Sequence, residues 1–106
     1  MGIQRVITFP SGTTPGWPAI AAELTAGGEA PTLRMIDGLP AFPDETPDPS
    51  WSELRVSLSG GMVTLRRHAD TIQCVVWGND DPALPSALEL TTRAIASAGG
   101  VSPPLE

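Results

Sequence analysis

Five side chains able to bind or move charge alternate along one short stretch of the chain: Glu53, Arg55, Arg66, His68 and Gln73. Arginine presents a planar fork of donors that matches carboxylate and phosphate two bonds at a time, and glutamine adds an amide donor and acceptor. A glutamate beside a histidine is a pair able to do acid–base work, because the carboxylate orients the ring and supports its charged form. Met62 and Trp77 fall at the same alternation and supply apolar neighbours, a mixture enriched where proteins meet partners.

These residues belong together only if a three-stranded meander holds them on one face. Gly60-Gly61 is a hairpin signal and Ala69-Asp70 stands where a second tight turn belongs. Pairing about those turns collects Leu54, Val56, Leu58, Val63, Leu65, Ile72, Cys74 and Val76 on one face, broken only by Arg67. The opposite face then carries Glu53–His68–Thr71 in one row and Arg55–Arg66–Gln73 in the next, followed by Ser57–Thr64–Val75 and Ser59–Met62–Trp77. Two arginines directly opposite each other repel, so that row expects an anion: Glu53 on the diagonal, an outside ligand, or the acids Asp44, Glu45 and Asp48 folded over the face.

The remaining chemistry is thin. His68 is the sole histidine and no serine or cysteine can be placed beside it, so no nucleophilic triad is expected. Cys74, the sole cysteine, falls on the apolar face, where a thiol is an inert small hydrophobe; it excludes an internal disulfide. One histidine and one cysteine on opposite faces do not make a zinc site, and the acids near residue 45 lack calcium-loop spacing, so no metal or cofactor is expected. Residues 10–14 join a strand to a helix, as phosphate-cradling loops do, but lack the glycine spacing and lysine of such a loop.

The elements around the meander follow from pattern. Residues 3–9 and 32–36 read as strands. Thr14 is an N-cap candidate with Pro15 at the first helical position, and Trp17, Ile20, Ala21 and Leu24 form one helical stripe ended by Gly27-Gly28. Asp80 or Asp81 with Pro82 starts a second helix, whose apolar side runs Leu84, Ala87, Leu88, Thr91, Ile95 and Ala98 to Gly99-Gly100. Residues 37–50 hold four prolines and four acids, which opposes regular structure and reads as a long loop. Residues 101–106 read as a frayed tail, with Leu105-Glu106 taken as a cloning scar. Strand, Pro-x-x-Pro, helix and Ala-Gly-Gly recur at residues 6–28 and 75–100, a shared way of starting and stopping a helix. The expected fold is α+β, a two-layer sandwich of order β-α-β-β-β-β-α with both helices on the apolar face of a mainly antiparallel sheet.

At 106 residues the chain is one domain, and its net charge of −6 opposes nucleic acid and anionic membrane. The helix–three-strand–helix order is superficially similar to that of double-stranded-RNA-binding domains, but the helix starts here lack their lysines, and the chain has no lysine at all. No signal segment or membrane span is evident, which points to the cytoplasm. The expected function is a small non-enzymatic binding or protein-interaction module. It would use the polar sheet face or a strand edge to hold a protein partner, a second copy in a homodimer, an acidic peptide or an anionic small ligand. The rival reading is a small enzyme or anionic-metabolite-binding protein with a site between the sheet and loop 37–51, closed by Trp51 and Phe42 over His68 or Glu53.

Overall fold

The computed structural model describes residues 2–42, 45–47, 50–77 and 83–101. Alternating burial of β-branched and leucine side chains drives six strands into one antiparallel sheet: β1 (Gly2–Thr8), β2 (Thr32–Ile36), β3 (Leu39–Pro40), β4 (Glu53–Leu58), β5 (Gly61–His68) and β6 (Thr71–Trp77). Their order across the sheet is β1-β6-β5-β4-β2-β3, so the two strands whose placement the sequence left open flank the meander on either side. Two helices, α1 (Trp17–Ala26) and α2 (Ala83–Ala98), cover one face. The fold is α+β with a sheet layer and a helix layer, as expected, with one strand more. Neither helix is long and apolar enough to cross a membrane among the described residues.

The core is the face read from the alternation. Leu54, Val56, Val63, Leu65, Ile72, Cys74 and Val76 are fully buried against Ile20 and Leu24 of α1 and Leu88 and Ile95 of α2. Each such side chain stabilises the fold by about 1.5–3 kcal/mol when removed from water. Cys74 lies inside this layer, and burial pushes its thiol up to about 12, so it stays protonated and unreactive. Arg67, the one charge on that face, does not enter the core; its guanidinium stands 4.7 Å from the centre of the Trp51 ring and covers it.

Both helices end in the same way. Gly28, at φ 93°, sends its N–H to Thr25 O while Glu29 N–H reaches Leu24 O; Gly100, at φ 72°, bonds Ser97 O while Val101 N–H reaches Ala96 O. This six-to-one, five-to-two closure needs a left-handed residue, which explains the repeated Ala-Gly-Gly. At its start α1 differs from expectation. The N-cap is Gly16, not Thr14, and no side chain caps it. Pro18 in the first turn has no N–H to satisfy, so the need for a side-chain acceptor falls. The expected caps of α2, Asp80, Asp81 and Pro82, and the tail from residue 102 lie outside the described residues, as do the side chains of Leu84 and Trp77.

Two further departures concern turns. Residues 37–50 are not loop throughout. Asp37 at φ 51° and Gly38 at φ 83° make the tight hairpin turn that Asp-Gly favours, and Ile36 pairs with Leu39. Pro40 is tolerated because β3 lies at the sheet edge. In the first meander hairpin the turn falls on Ser59-Gly60, so Leu58 pairs with Gly61, and Gly61 takes φ 132° inside its strand. The register is therefore two residues away from that expected, which keeps every face and changes every partner.

Candidate functional site

That shift redraws the open face of the sheet. Arg55 stands opposite Thr64, not Arg66, and Glu53 stands opposite Arg66, not His68. The expected row of two facing arginines and the Glu53–His68 pair are both absent. Arg66 Nε instead donates to Glu53 Oε2 at 3.0 Å. This is a half-exposed ion pair, worth at most about 1 kcal/mol. The second register holds as read: Arg66 faces Gln73, Thr64 faces Val75 and His68 faces Thr71.

Strand alternation now assembles the face from its floor upward. Across the middle run Gln4, Val75, Thr64, Arg55 and Met35, contributed by β1, β6, β5, β4 and β2. Thr64 and Val75 are buried although no helix covers this side, because longer neighbours flank them. Gln73 Nε2 donates to Gln4 Oε1, so these two amides hold each other. Met62 and Val6 are each 44 % exposed and leave apolar surface in the rows on either side.

Arg55 is the exception in this satisfied surface. Its Nε is buried and has no hydrogen-bond partner, and no ion pair reaches its guanidinium among the described residues. The charged groups that the strands place on the face are Arg55, Arg66 and Glu53, with His68 exposed at one end. Among the described residues these strands set two cations against one anion, on a protein of net charge −6. Such an arrangement is chemically able to hold an acidic group.

Of the acids expected over this face, Glu45 is committed elsewhere. Glu45 lines a cleft beside Trp17 on α1, and its Oε1 accepts the Phe42 N–H at 3.2 Å, so it does not fold over the open face. Asp44 and Asp48 lie outside the described residues. Trp51 is 1 % exposed within the core cluster, whereas Phe42 is 76 % exposed. The two therefore do not form the walls of a closed pocket over His68 or Glu53. In residues 10–14, Thr13 closes a turn onto Pro10 O and Gly12 N–H points at Asp70 Oδ1, 3.4 Å away. That loop's amides serve its own chain.

Sequence reasoning missed one functional-looking contact set, at Asp37. Its Oδ1 accepts the Ser52 N–H at 2.7 Å, the Ser52 hydroxyl at 2.9 Å and the Glu53 N–H at 2.9 Å, while its own N–H donates to Glu53 O at 2.7 Å. The Glu53 and Ser52 amides hold this carboxyl below its ordinary range, with smaller help from the Ser52 hydroxyl and the charge of Arg67. A carboxylate whose folded-state pKa is depressed stabilises the fold fully above its unfolded value. That contribution is lost as pH falls through the lower, folded value. Asp37→Asn is therefore expected to be less stable than the parent at pH 7, with the gap closing below about pH 4 as Asp37 itself becomes neutral. Urea unfolding of both chains at pH 7 and pH 3 checks this; a gap unchanged at pH 3 would assign the loss to shape, not charge.

Among known proteins, no family model, no curated protein and no solved structure matches this chain.

Proposed function

We propose that this chain is a non-enzymatic binding module that holds an acidic ligand, a carboxylate-bearing peptide or metabolite, on the open face of its sheet. The observation that carries the reading is Arg55: a cation whose Nε is buried without a partner among the described residues, on the sheet face that α1 and α2 do not cover. A buried donor left unsatisfied costs about 1–3 kcal/mol, which an arriving carboxylate returns on binding. Met35 and Thr64 flank Arg55 on the neighbouring strands. Around them, Gln73, Arg66 and Met62 offer the donors and apolar edges that fix a ligand's orientation; His68 and Glu53 mark one end. The chemistry of the face is recognition: a guanidinium without a partner binds charge, and an exposed histidine without its glutamate has no orienting group for proton transfer.

The test is an amide and arginine side-chain NMR titration with hexaglutamate, citrate and inorganic phosphate at low salt. Shifts centred on Arg55, Thr64 and Met35 are expected for at least one carboxylate probe. Arg55→Gln is expected to weaken that binding about 10- to 100-fold, the worth of one charge-assisted hydrogen bond. Arg66→Gln, which removes a cation already paired with Glu53, should weaken it less. If no probe moves Arg55, or if Arg55→Gln binds as the parent does, the open face is not a site for acidic ligands.

A further inference from the structure

The most exposed large apolar side chains among the described residues are Phe42 and Leu39, at 76 % and 69 %. Single exposed hydrophobes are ordinary, but these two lie three residues apart on one segment, and that segment is not a loose tail. Leu39 is held in β3 by its pairing with Ile36, Ala41 N–H donates to Arg34 O at 3.0 Å, and Phe42 and Glu45 exchange hydrogen bonds. Side chains held out into water on a fixed backbone form a projection with a defined shape.

Beside the projection lies a hollow. A cleft of about 530 Å³ runs between α1 and the start of β2, walled by Trp17, Pro18, Ala21, Pro31 and Leu33. Glu45 and Thr46 complete its rim. Glu45 N–H donates to Phe42 O at 3.0 Å, so the rim of the hollow is bonded to the base of the projecting ring. The ring does not occupy its own chain's cleft, since three quarters of it is exposed.

We infer that a second copy of this chain docks here, each Phe42 ring entering the cleft of the other. A two-fold interface requires one patch that carries both a projection and its complement, and this patch carries both. Its charges are complementary in the same sense. Arg34 is exposed and has no ion pair among the described residues, while Glu45 and Glu29 border the cleft. The bond from Ala41 N–H to Arg34 O puts Arg34 beside the segment that carries the ring, and in the dimer its cation meets the acids of the second copy.

Sedimentation velocity over a range from 1 to 500 µM (on the order of typical weak-dimer affinities) tests the inference. The parent chain is expected to be dimeric at the upper end. Phe42→Ser removes both copies of the contact and is expected to weaken association about 100-fold, roughly tenfold for each. Thr25→Arg fills the cleft from an exposed position of α1 whose hydroxyl bonds only Ala21 O, and is expected to do the same. An equimolar mixture of the two variants retains one intact ring-in-cleft contact and recovers a heterodimer of intermediate strength, which misfolding of either variant cannot produce. A parent that sediments as a monomer throughout overturns the inference. So does a dimer indifferent to Phe42→Ser, which would place the interface on another surface.

Discussion

Replacing Trp51 by alanine is expected to destabilise the protein by about 3–5 kcal/mol. Trp51 is the largest of the fully buried side chains, and it lies where the chain enters β4, between Arg67 above and the core below. Removing the indole opens a cavity and strips Arg67 of the ring face that offsets its burial. Trp51→Phe separates two causes. The indole Nε1 is buried with no acceptor, so exchanging the ring for phenylalanine discards an unsatisfied donor along with some contacts. The loss for Trp51→Phe is therefore expected to stay under about 1.5 kcal/mol, within the range of tolerated apolar exchanges. Urea unfolding of both variants checks it. A phenylalanine variant as damaged as the alanine one would mean that the indole N–H has a partner in solution.

Gly99→Ala is the second large effect, and it acts by overfilling, not by emptying. A methyl group at this position would overlap Cδ1 and Cε1 of Phe9 and stand 3.2 Å from Pro15 Cδ. Phe9 is itself buried, with its N–H fixed to Asp70 O at 2.8 Å, so the ring cannot swing outward without exposing itself. The cost is expected to be about 1–3 kcal/mol, seen as a lowered Tm by thermal denaturation. Gly28→Ala offers the comparison. There a methyl group meets nothing, but φ is 93°, so its cost is backbone strain of about 1 kcal/mol. If the two alanine variants melt alike, close packing of α2 on the end of β1 is not what Gly99 provides.

How much of this was written in the sequence differs from element to element. The faces of β4, β5 and β6 were legible because alternation has a period of two, and any register consistent with it yields the same buried set. The same period hid the partners: a shift of two residues leaves Leu54, Val63 and Cys74 inside while moving Arg55 from Arg66 to Thr64. Three small residues at 59–61 offer two places for a turn, and only the three-dimensional twist chooses. The candidate site was legible as a set of residue types and illegible as a set of bonds. Arg55, whose lack of a partner carries the functional proposal, looked no different in sequence from Arg66, which has one.

Other features had a readable signal that a stronger one masked. Asp37-Gly38 is a strong hairpin dipeptide, yet the prolines after it argued for loop. Both statements are true, because an edge strand of two residues accommodates Pro40. Trp51 sits outside any periodic run, so alternation could not assign it to the core. The tie from Glu29 to Ser59, whose N–H and hydroxyl both donate to its carboxylate at about 3 Å, spans thirty residues. No local pattern announces such a contact. It fastens the end of α1 to the first meander turn, and so helps set the choice of turn that alternation leaves open.

The clasp at Asp37 has one more consequence. Because it binds Ser52 and Glu53 directly, the clasp closes residues 37–52 into a ring and by itself fastens the end of β2 to the start of β4. The length of that ring is decoupled from the sheet: doubling it would add only about 0.6 kcal/mol of closure entropy and would not disturb a single strand pairing below the clasp. Related chains can therefore differ in the length of the stretch between β3 and β4 while keeping the pairing of β2 with β4.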